Sequence, residues 1–365
     1  MSAPLTVLHL THEGHGAGSS ISIALLARAQ RAAGHRVIVG CPGDSYLSSL
    51  VSAGGLEHVP LAFERSFETR AAIQALVRGE SVDVINAHSS KDRAACRRLR
   101  LLGRLRPALV MTRRGMPMST PLSAVLSGLA ADRTIAVSRP VARSLVRRGT
   151  PPWRVAVVPN AVDLSRLDAP LAPGSRERVA RLIGADVGAA PRPTIGVVSR
   201  RKEHATLLAA LAFVSAPVTL CLIGFEPDEA LQRAPVAQRH RLVWLPFQRD
   251  VRPFYDLFDV VALVGRHEGL SQGLLEAMAL GKPVVAVRAG GNTDVVTHLV
   301  HGLLVPPRQP RALGAALERL VADHDLRRRL GAAARQRARD AFTIERTSSL
   351  TEAVYRAAVA RRNGR

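Results

Sequence analysis

Apolar residues in this 365-residue chain gather in short, nearly continuous runs, separated by longer stretches in which they recur every three or four positions. In the first half the runs cover residues 5–10, 37–40, 82–86, 108–112, 134–137 and 155–158. Runs of this length predict parallel strands buried on both faces, and helix-period stretches such as 19–33 predict the helices that cover them. A second series follows the Pro- and Gly-containing segment 169–174, with runs at 194–198, 218–223, 242–245, 260–264, 284–287 and 303–305, and a last helical stretch spans 344–360. Strand–helix alternation of this kind builds a doubly wound α/β sheet. The chain is long enough for two cores, so two Rossmann-like domains are expected.

After the 260–264 run the sequence reads HEGLSQGLLEAMALGKPVVAV, with Glu268 in the loop and Glu276 eight positions on. Leu274, Leu275, Met278 and Ala279 recur at helical spacing, which puts Glu276 in the first turns of a helix. Both carboxylates then reach the C-terminal edge of a parallel sheet, where open α/β folds bind ligands. Free N–H groups from Ser271 to Gly273 suit an anion, and Gly269 and Gly273 let it approach the main chain. An anion at a helix start and hydroxyls on two carboxylates together describe a sugar nucleotide.

This stretch resembles the E-x7-E motif of the retaining family 4 glycosyltransferases with the GT-B fold, including the EAMALGKPVV that follows and the pair Gly290 and Gly291. The resemblance implies two Rossmann-like, doubly wound parallel-sheet domains facing across a cleft. Residues 1–168 would form the acceptor side, 169–343 the nucleotide-sugar side, and 344–365 a helix crossing back. The segment V-P-N-A-V-D at 158–163 resembles the close of the family's first domain. In the family the first Glu contacts the transferred sugar and the second the ribose diol, roles that fall on Glu268 and Glu276. Gly269, Leu270 and Ser271 would lie at the donor with them.

Further sites follow from the same resemblance. After the first strand the spacing Gly14, Gly16, Gly18 departs from the dinucleotide fingerprint, and no acid ends the second strand, which argues against a nicotinamide or flavin. The loop resembles the family's glycine-rich loop beside the donor diphosphate, which assigns Gly16 and Gly18 to the donor; Ser19 is placed to cap the helix. His88 matches the second His of an H-x-H pattern that contacts the transferred sugar, with Asn86 in the first position. Arg200, Arg201 and Lys202 stand where the family grips the diphosphate, either arginine being able to take that part, and such cations suit a leaving group that gains negative charge. The segment 244–248 matches the base-binding loop, and Asp294 replaces a common Glu.

No metal site is expected: the D-x-D at Asp323 and Asp325 sits in an Arg-rich, helix-like stretch and reads as a solvated helix start. No cofactor is expected either, the nucleotide sugar being a substrate. Cys41, Cys96 and Cys221 are odd in number, far apart, and read as small buried hydrophobes.

The formal charge of +22 changes the picture of partners. Between Lys91 and Arg154 fifteen basic residues face two acids, Asp92 and Asp132, a net of +13. Arg93, Arg97, Arg100 and Arg104 recur at spacings of four, three and four, which makes a stripe on one helix face. The stripe suits an anionic membrane surface or a phosphorylated acceptor, or else is a solvated face. Nucleic acid would also account for the charge, but aromatics make up only 4% of the chain and no nucleic-acid motif is present. No apolar run reaches the roughly 18 residues of a spanning helix, and residues 1–10 lack the charged start and cleavage site of a signal peptide. A cytoplasmic protein, peripheral on the inner face of the plasma membrane, is expected.

The expected activity is metal-independent, retaining transfer of a hexose or heptose from a nucleotide-sugar donor to a hydroxyl of a cell-envelope glycan or glycolipid, in lipopolysaccharide or polysaccharide assembly. The resemblance implies front-face attack, in which the leaving phosphate takes the acceptor's proton. Glu268, His88, Arg200, Arg201 and Lys202 are the candidate catalytic residues. A sugar-nucleotide epimerase on the same fold is the nearer alternative, and a nucleic-acid-binding protein the more distant one.

Overall fold

The computed structural model describes residues 3–117, 120–185, 192–199, 203–225 and 236–364. They form two compact units: Met1–Ala161 together with Ile344–Arg365, and Val162–Thr343.

The first unit carries seven parallel strands, β1 (Thr6–Leu10), β2 (Arg36–Cys41), β3 (Glu57–Pro60), β4 (Val84–Ala87), β5 (Ala108–Arg113), β6 (Arg133–Ala136) and β7 (Val155–Val157), in the order β3-β2-β1-β4-β5-β6-β7. The continuity of the apolar runs follows from burial on both sides. Leu8, Leu10, Ile38, Ile85, Leu109 and Met111 pack on one face. Val7, Val84, Val110 and Ile135 point to the other, where Val354, Tyr355 and Ala358 of the last helix, Ile344–Asn363, cover them. The edge strand β3 has no apolar run to reveal it: Glu57 and Pro60 are exposed, and Val59 is only half-buried.

The second unit carries six parallel strands, β8 (Thr194–Val198), β9 (Thr219–Ile223), β10 (Arg241–Leu245), β11 (Val260–Leu263), β12 (Val284–Val287) and β13 (Leu303–Val305), in the order β10-β9-β8-β11-β12-β13. In each sheet the winding reverses once, between β1 and β4 and between β8 and β11. Those are the switch points at which doubly wound sheets open a crevice.

Three sequence-based expectations change. The first unit ends at Ala161 rather than 168, because Val162 N donates to Phe342 O at 2.8 Å and Asp163 caps the short helix Leu164–Asp168 within the second unit. The helix Ala17–Ala32 starts from Gly16, and Ser19 lies inside its first turn with Oγ directed to Gly16 O at 3.3 Å, so it is not the cap.

The arginine stripe is the third. On the helix Ser90–Leu101, Arg93 donates to the carbonyls of His88 and Thr112, Arg97 to Ser123 and Ser127, and Arg100 pairs with Asp132 at 3.2 Å. Three of the four guanidinium groups therefore staple this helix to neighbouring elements of its own unit, and only Arg104, beyond the helix end, is exposed. Sequence spacing shows a shared face but not what covers it.

The three cysteines are fully buried and free, and burial pushes the thiols up, Cys41 to about 11 and Cys221 to about 12. Asp323 is spent as a helix cap, accepting from Leu326 N at 2.8 Å, and Asp325 pairs with Arg328. No helix among the described residues is long and apolar enough to cross a membrane.

Candidate active site

In the second unit the loop that follows β11 is folded against a glycine pair. A Cβ on Gly290, whose φ is 54°, would lie 2.0 Å from Glu268 O, and one on Gly291 would lie 1.8 Å from Gly269 O. Gly291 N also donates to Glu268 O at 3.1 Å. Only bare backbone fits there, so Gly290 and Gly291 set the path of residues 268–269. The Glu268 side chain turns back over Gly265, its Oε1 within 2.9 Å of where a Cβ would stand, and remains half-buried. Leu270 and Ser271 are buried beside it. Ser271 then caps the helix Gln272–Ala279, its Oγ accepting from Leu274 N at 3.3 Å.

Glu276 lies on that helix and is 3% exposed. Burial raises its carboxyl above the usual range, while Arg166 and a hydrogen bond from Gln272 oppose the shift. Arg166 Nη2 meets Glu276 Oε1 directly. Beneath the helix Tyr255 donates its hydroxyl to Gly273 O at 3.0 Å, and its phenol is driven well up by burial and by the nearby Glu276. Arg200, Arg201 and Lys202 lie outside the described residues. The next residue, Glu203, has the left-handed φ of 52° and pairs with Arg266 at 2.8 Å. Trp244, in the segment matched to the base-binding loop, packs edge-on against Phe225, and its buried indole Nε1 finds no acceptor among the described residues.

In the first unit the switch point between β1 and β4 is built from paired polar side chains. Thr11 Oγ1 and Ser89 Oγ are 2.8 Å apart, and fully buried Asp92 accepts from Ser89 N at 2.8 Å and faces His12 Nδ1 at 3.1 Å. His9 Nε2 lies 2.8 Å from Gln30 Oε1, and His9 Nδ1 lies 2.9 Å from His88 Nε2. An amide oxygen only accepts, so His9 donates from Nε2, accepts at Nδ1, and His88 donates from its Nε2. His88 Nδ1 is then bare and faces Arg114 Nη2 at 3.4 Å. Burial holds both imidazoles neutral, His9 at about 4 and His88 well below its ordinary value, with Arg114 adding to the shift. Arg114 is itself lowered to about 10 by burial and donates to Asn160 Oδ1 at 2.9 Å. Asn86 is taken up by Tyr355 and Thr112, both at 2.7 Å. Gly16 is buried at the head of the first helix, and Gly18 lies in its first turn.

Known families match both units. Residues 16–166 fit a model described as glycosyltransferase family 4, and residues 192–323 fit one described as glycosyl transferases group 1. The chain belongs to the family 4 glycosyltransferases of the GT-B fold.

Among its relatives is a D-inositol 3-phosphate glycosyltransferase of Xylanimonas cellulosilytica, 32% identical over 248 residues that cover 65% of this chain and 59% of the relative. A GDP-mannose-dependent alpha-mannosyltransferase of Mycobacterium tuberculosis is 35% identical over 180 residues, 48% of this chain and 44% of the relative. The matched stretches thus span between 44% and 59% of these two relatives' length. Anabaena HepE, solved with UDP-glucose, superposes with a TM-score of 0.81 at 20% identity over 96% of this chain and 99% of that one, a likeness of fold.

Sequence reasoning did not single out Arg166, Gln30, Arg114 or Tyr355. Ser89 and Asp92 were discoverable, since S-x-x-D before an apolar run is a helix-start signature. For Arg166, 110 positions from Glu276, no local pattern carries a signal.

Proposed function

We propose that this protein is a retaining glycosyltransferase that moves a hexose or heptose from a nucleotide sugar to a hydroxyl of a cell-envelope glycan or glycolipid. The observation that carries the reading is the loop 268–271, held by Gly290 and Gly291 at a switch point, with Glu268 at its start and Glu276 buried in the helix it caps. Relatives named for GDP-mannose and for inositol 3-phosphate support a hexosyl donor and a hydroxyl acceptor. In this reading Glu268 meets the transferred sugar, Glu276 the ribose, and Gly269, Leu270 and Ser271 line the donor, while Gly16 and Gly18 are the first unit's candidates for donor contact. The cations of Arg200, Arg201 and Lys202 stabilise the departing diphosphate without a metal. The leaving phosphate takes the acceptor's proton on the same face of the sugar. His88 stays a candidate sugar contact, and to reach a hydroxyl its Nδ1 exchanges Arg114 for ligand.

A thermal-shift screen against UDP, GDP and ADP tests the donor half, because a ligand that binds only the folded state raises its stability by mass action. Retention of the anomeric configuration, read by NMR of the product, tests the rest. No shift with any diphosphate at millimolar concentration would refute the reading.

The membrane part of the proposal moves to another surface of the first unit. Leu122 and Leu129 on the helix Pro121–Ala130 are 69% and 54% exposed, and Trp153 is 71% exposed. The segment that carries Trp153 meets the end of this helix, since buried Arg154 donates to the carbonyls of Gly128 and Leu129, and Leu122 lies two turns earlier on the same helix. Arg143 and Arg147 share a groove with Pro152 beside them. Apolar anchors with an interfacial Trp and flanking cations suit an anionic bilayer surface.

A further inference from the structure

The ion pair between Arg166 and Glu276 has a meaning beyond stability. Glu276 sits on the helix Gln272–Ala279 with 3% of its surface exposed, and one of its oxygens is held by Arg166. Arg166 is aimed by its own surroundings: Asp163 Oδ1 accepts from its N at 3.0 Å, and Arg252 Nη1, itself paired with Asp250, donates to its carbonyl at 2.8 Å. Its Nε is buried and finds no acceptor among the described residues. The backbone of Arg166 is thus held from both sides, and its guanidinium meets Glu276 Oε1.

We propose that Arg166 is a positioning residue for the nucleotide: it keeps Glu276 ionised and turned so that its remaining acceptor capacity is left for the ribose diol. The inference rests on the reading of Glu276 as the ribose contact. Two hydroxyls that donate together need a carboxylate, which only accepts; a protonated carboxyl spends one oxygen as a donor. The other groups around Glu276 do not substitute for Arg166. Asp163 opposes ionisation, and Tyr255 is a neutral phenol beneath the helix. On the packed helix His324–Ala341, Arg339 is directed to Ala279 O and to Asp168, and Arg335 lies over Gly281. Lys282 donates to Asp256 O at 3.1 Å.

Burial already raises the Glu276 carboxyl while Arg166 opposes the shift, so removing the counter-ion drives its pKa further up. Only the ionised fraction would then bind, which lowers affinity about tenfold for each unit by which that value exceeds the pH. The test is calorimetric titration, between pH 6 and 9, with whichever of UDP, GDP and ADP binds the wild type most tightly. Wild type and Arg166→Lys should show a flat profile, while Arg166→Met should bind about tenfold more weakly at pH 7 and recover as pH rises. Where Arg166→Met fails to fold, the Glu276→Gln background serves, since no buried acid remains there to lose its counter-ion. Adding Arg166→Met to it should cost no further affinity, and an additional loss would overturn the proposal by showing that Arg166 acts independently of the carboxylate. A flat profile for Arg166→Met would overturn it too. If Glu276→Gln itself binds like wild type, or none of the three nucleotides binds wild type at 1 mM, the ribose reading fails first and takes this inference with it.

Discussion

Glu268 and Gly290 are locked together through the backbone: the carbonyl oxygen of one stands 2.0 Å from the place a Cβ on the other would fill. The position is strained twice over for any other residue, because Gly290 also has a φ of 54°. Gly290→Ala is expected to push residues 268–269 away from the switch point. A cost of roughly 1–3 kcal/mol should lower the melting temperature by several degrees, at about 2–4 °C per kcal/mol. Turnover should fall further than stability does. A variant that melts and turns over like wild type would show that the glycine pair does not hold the loop.

Arg100 offers a contrast between a buried and a surface arginine. Its side chain is 10% exposed and its partner Asp132, 2% exposed, also accepts from Leu109 N. Arg100→Gln leaves that carboxylate without its counter-ion, and breaking a buried pair in this way costs about 3–5 kcal/mol. Arg98, one helix face away and exposed, should tolerate the same change within about 0.5 kcal/mol. Urea unfolding of the two variants separates a structural arginine from a solvated one.

The His9–His88 pair makes stability depend on pH. Both imidazoles have folded values below the ordinary 6.5, His9 at about 4. The unfolded chain therefore binds more protons as pH falls, so the contribution is complete above about 6.5 and is lost as pH drops towards 4. His9 alone accounts for about 3 kcal/mol across that window. Unfolding free energies measured at pH 7 and pH 4 should differ accordingly, and His9→Phe with His88→Leu should flatten the difference. A stability independent of pH over this range would mean that the two rings titrate in the fold as they do in the unfolded chain.

Vesicle binding decides between two basic surfaces. Changing Leu122, Leu129 and Trp153 to Ser should release the protein from phosphatidylserine vesicles, whereas Arg104→Gln should matter by only about 1 kcal/mol at low salt. Added salt should weaken what remains, since surface charges are screened beyond about 8 Å at physiological ionic strength. Equal sedimentation of wild type and the triple variant would remove this surface from the proposal.

Most of the fold was legible because parallel strands buried on both faces leave continuous apolar runs, and twelve of the thirteen strands have one. The exception, β3, lies at an edge and buries little. The site was legible where chemistry and chain spacing coincide, as in the eight positions from Glu268 to Glu276. It was not legible where the partner is remote. Nothing near Arg166 or Gln30 in the sequence points to Glu276 or His9, and nothing in the spacing of Arg93, Arg97 and Arg100 tells an internal staple from an outward stripe. Periodicity reports which side chains share a face, whereas the identity of the facing element is a property of the three-dimensional fold.

The last helix has a consequence for biosynthesis. Tyr355 is 1% exposed, its hydroxyl bonds Asn86 on β4, and with Val354 and Ala358 it closes one face of the first sheet. The first unit is thus assembled from both ends of the described chain, with the second unit as a contiguous insert. On the ribosome the insert has all its strands before the first sheet has its cover. Val7, Val84 and Val110 then wait exposed until the final segment emerges, so a nascent chain stalled before Ile344 presents an apolar sheet face to chaperones, or to other nascent chains.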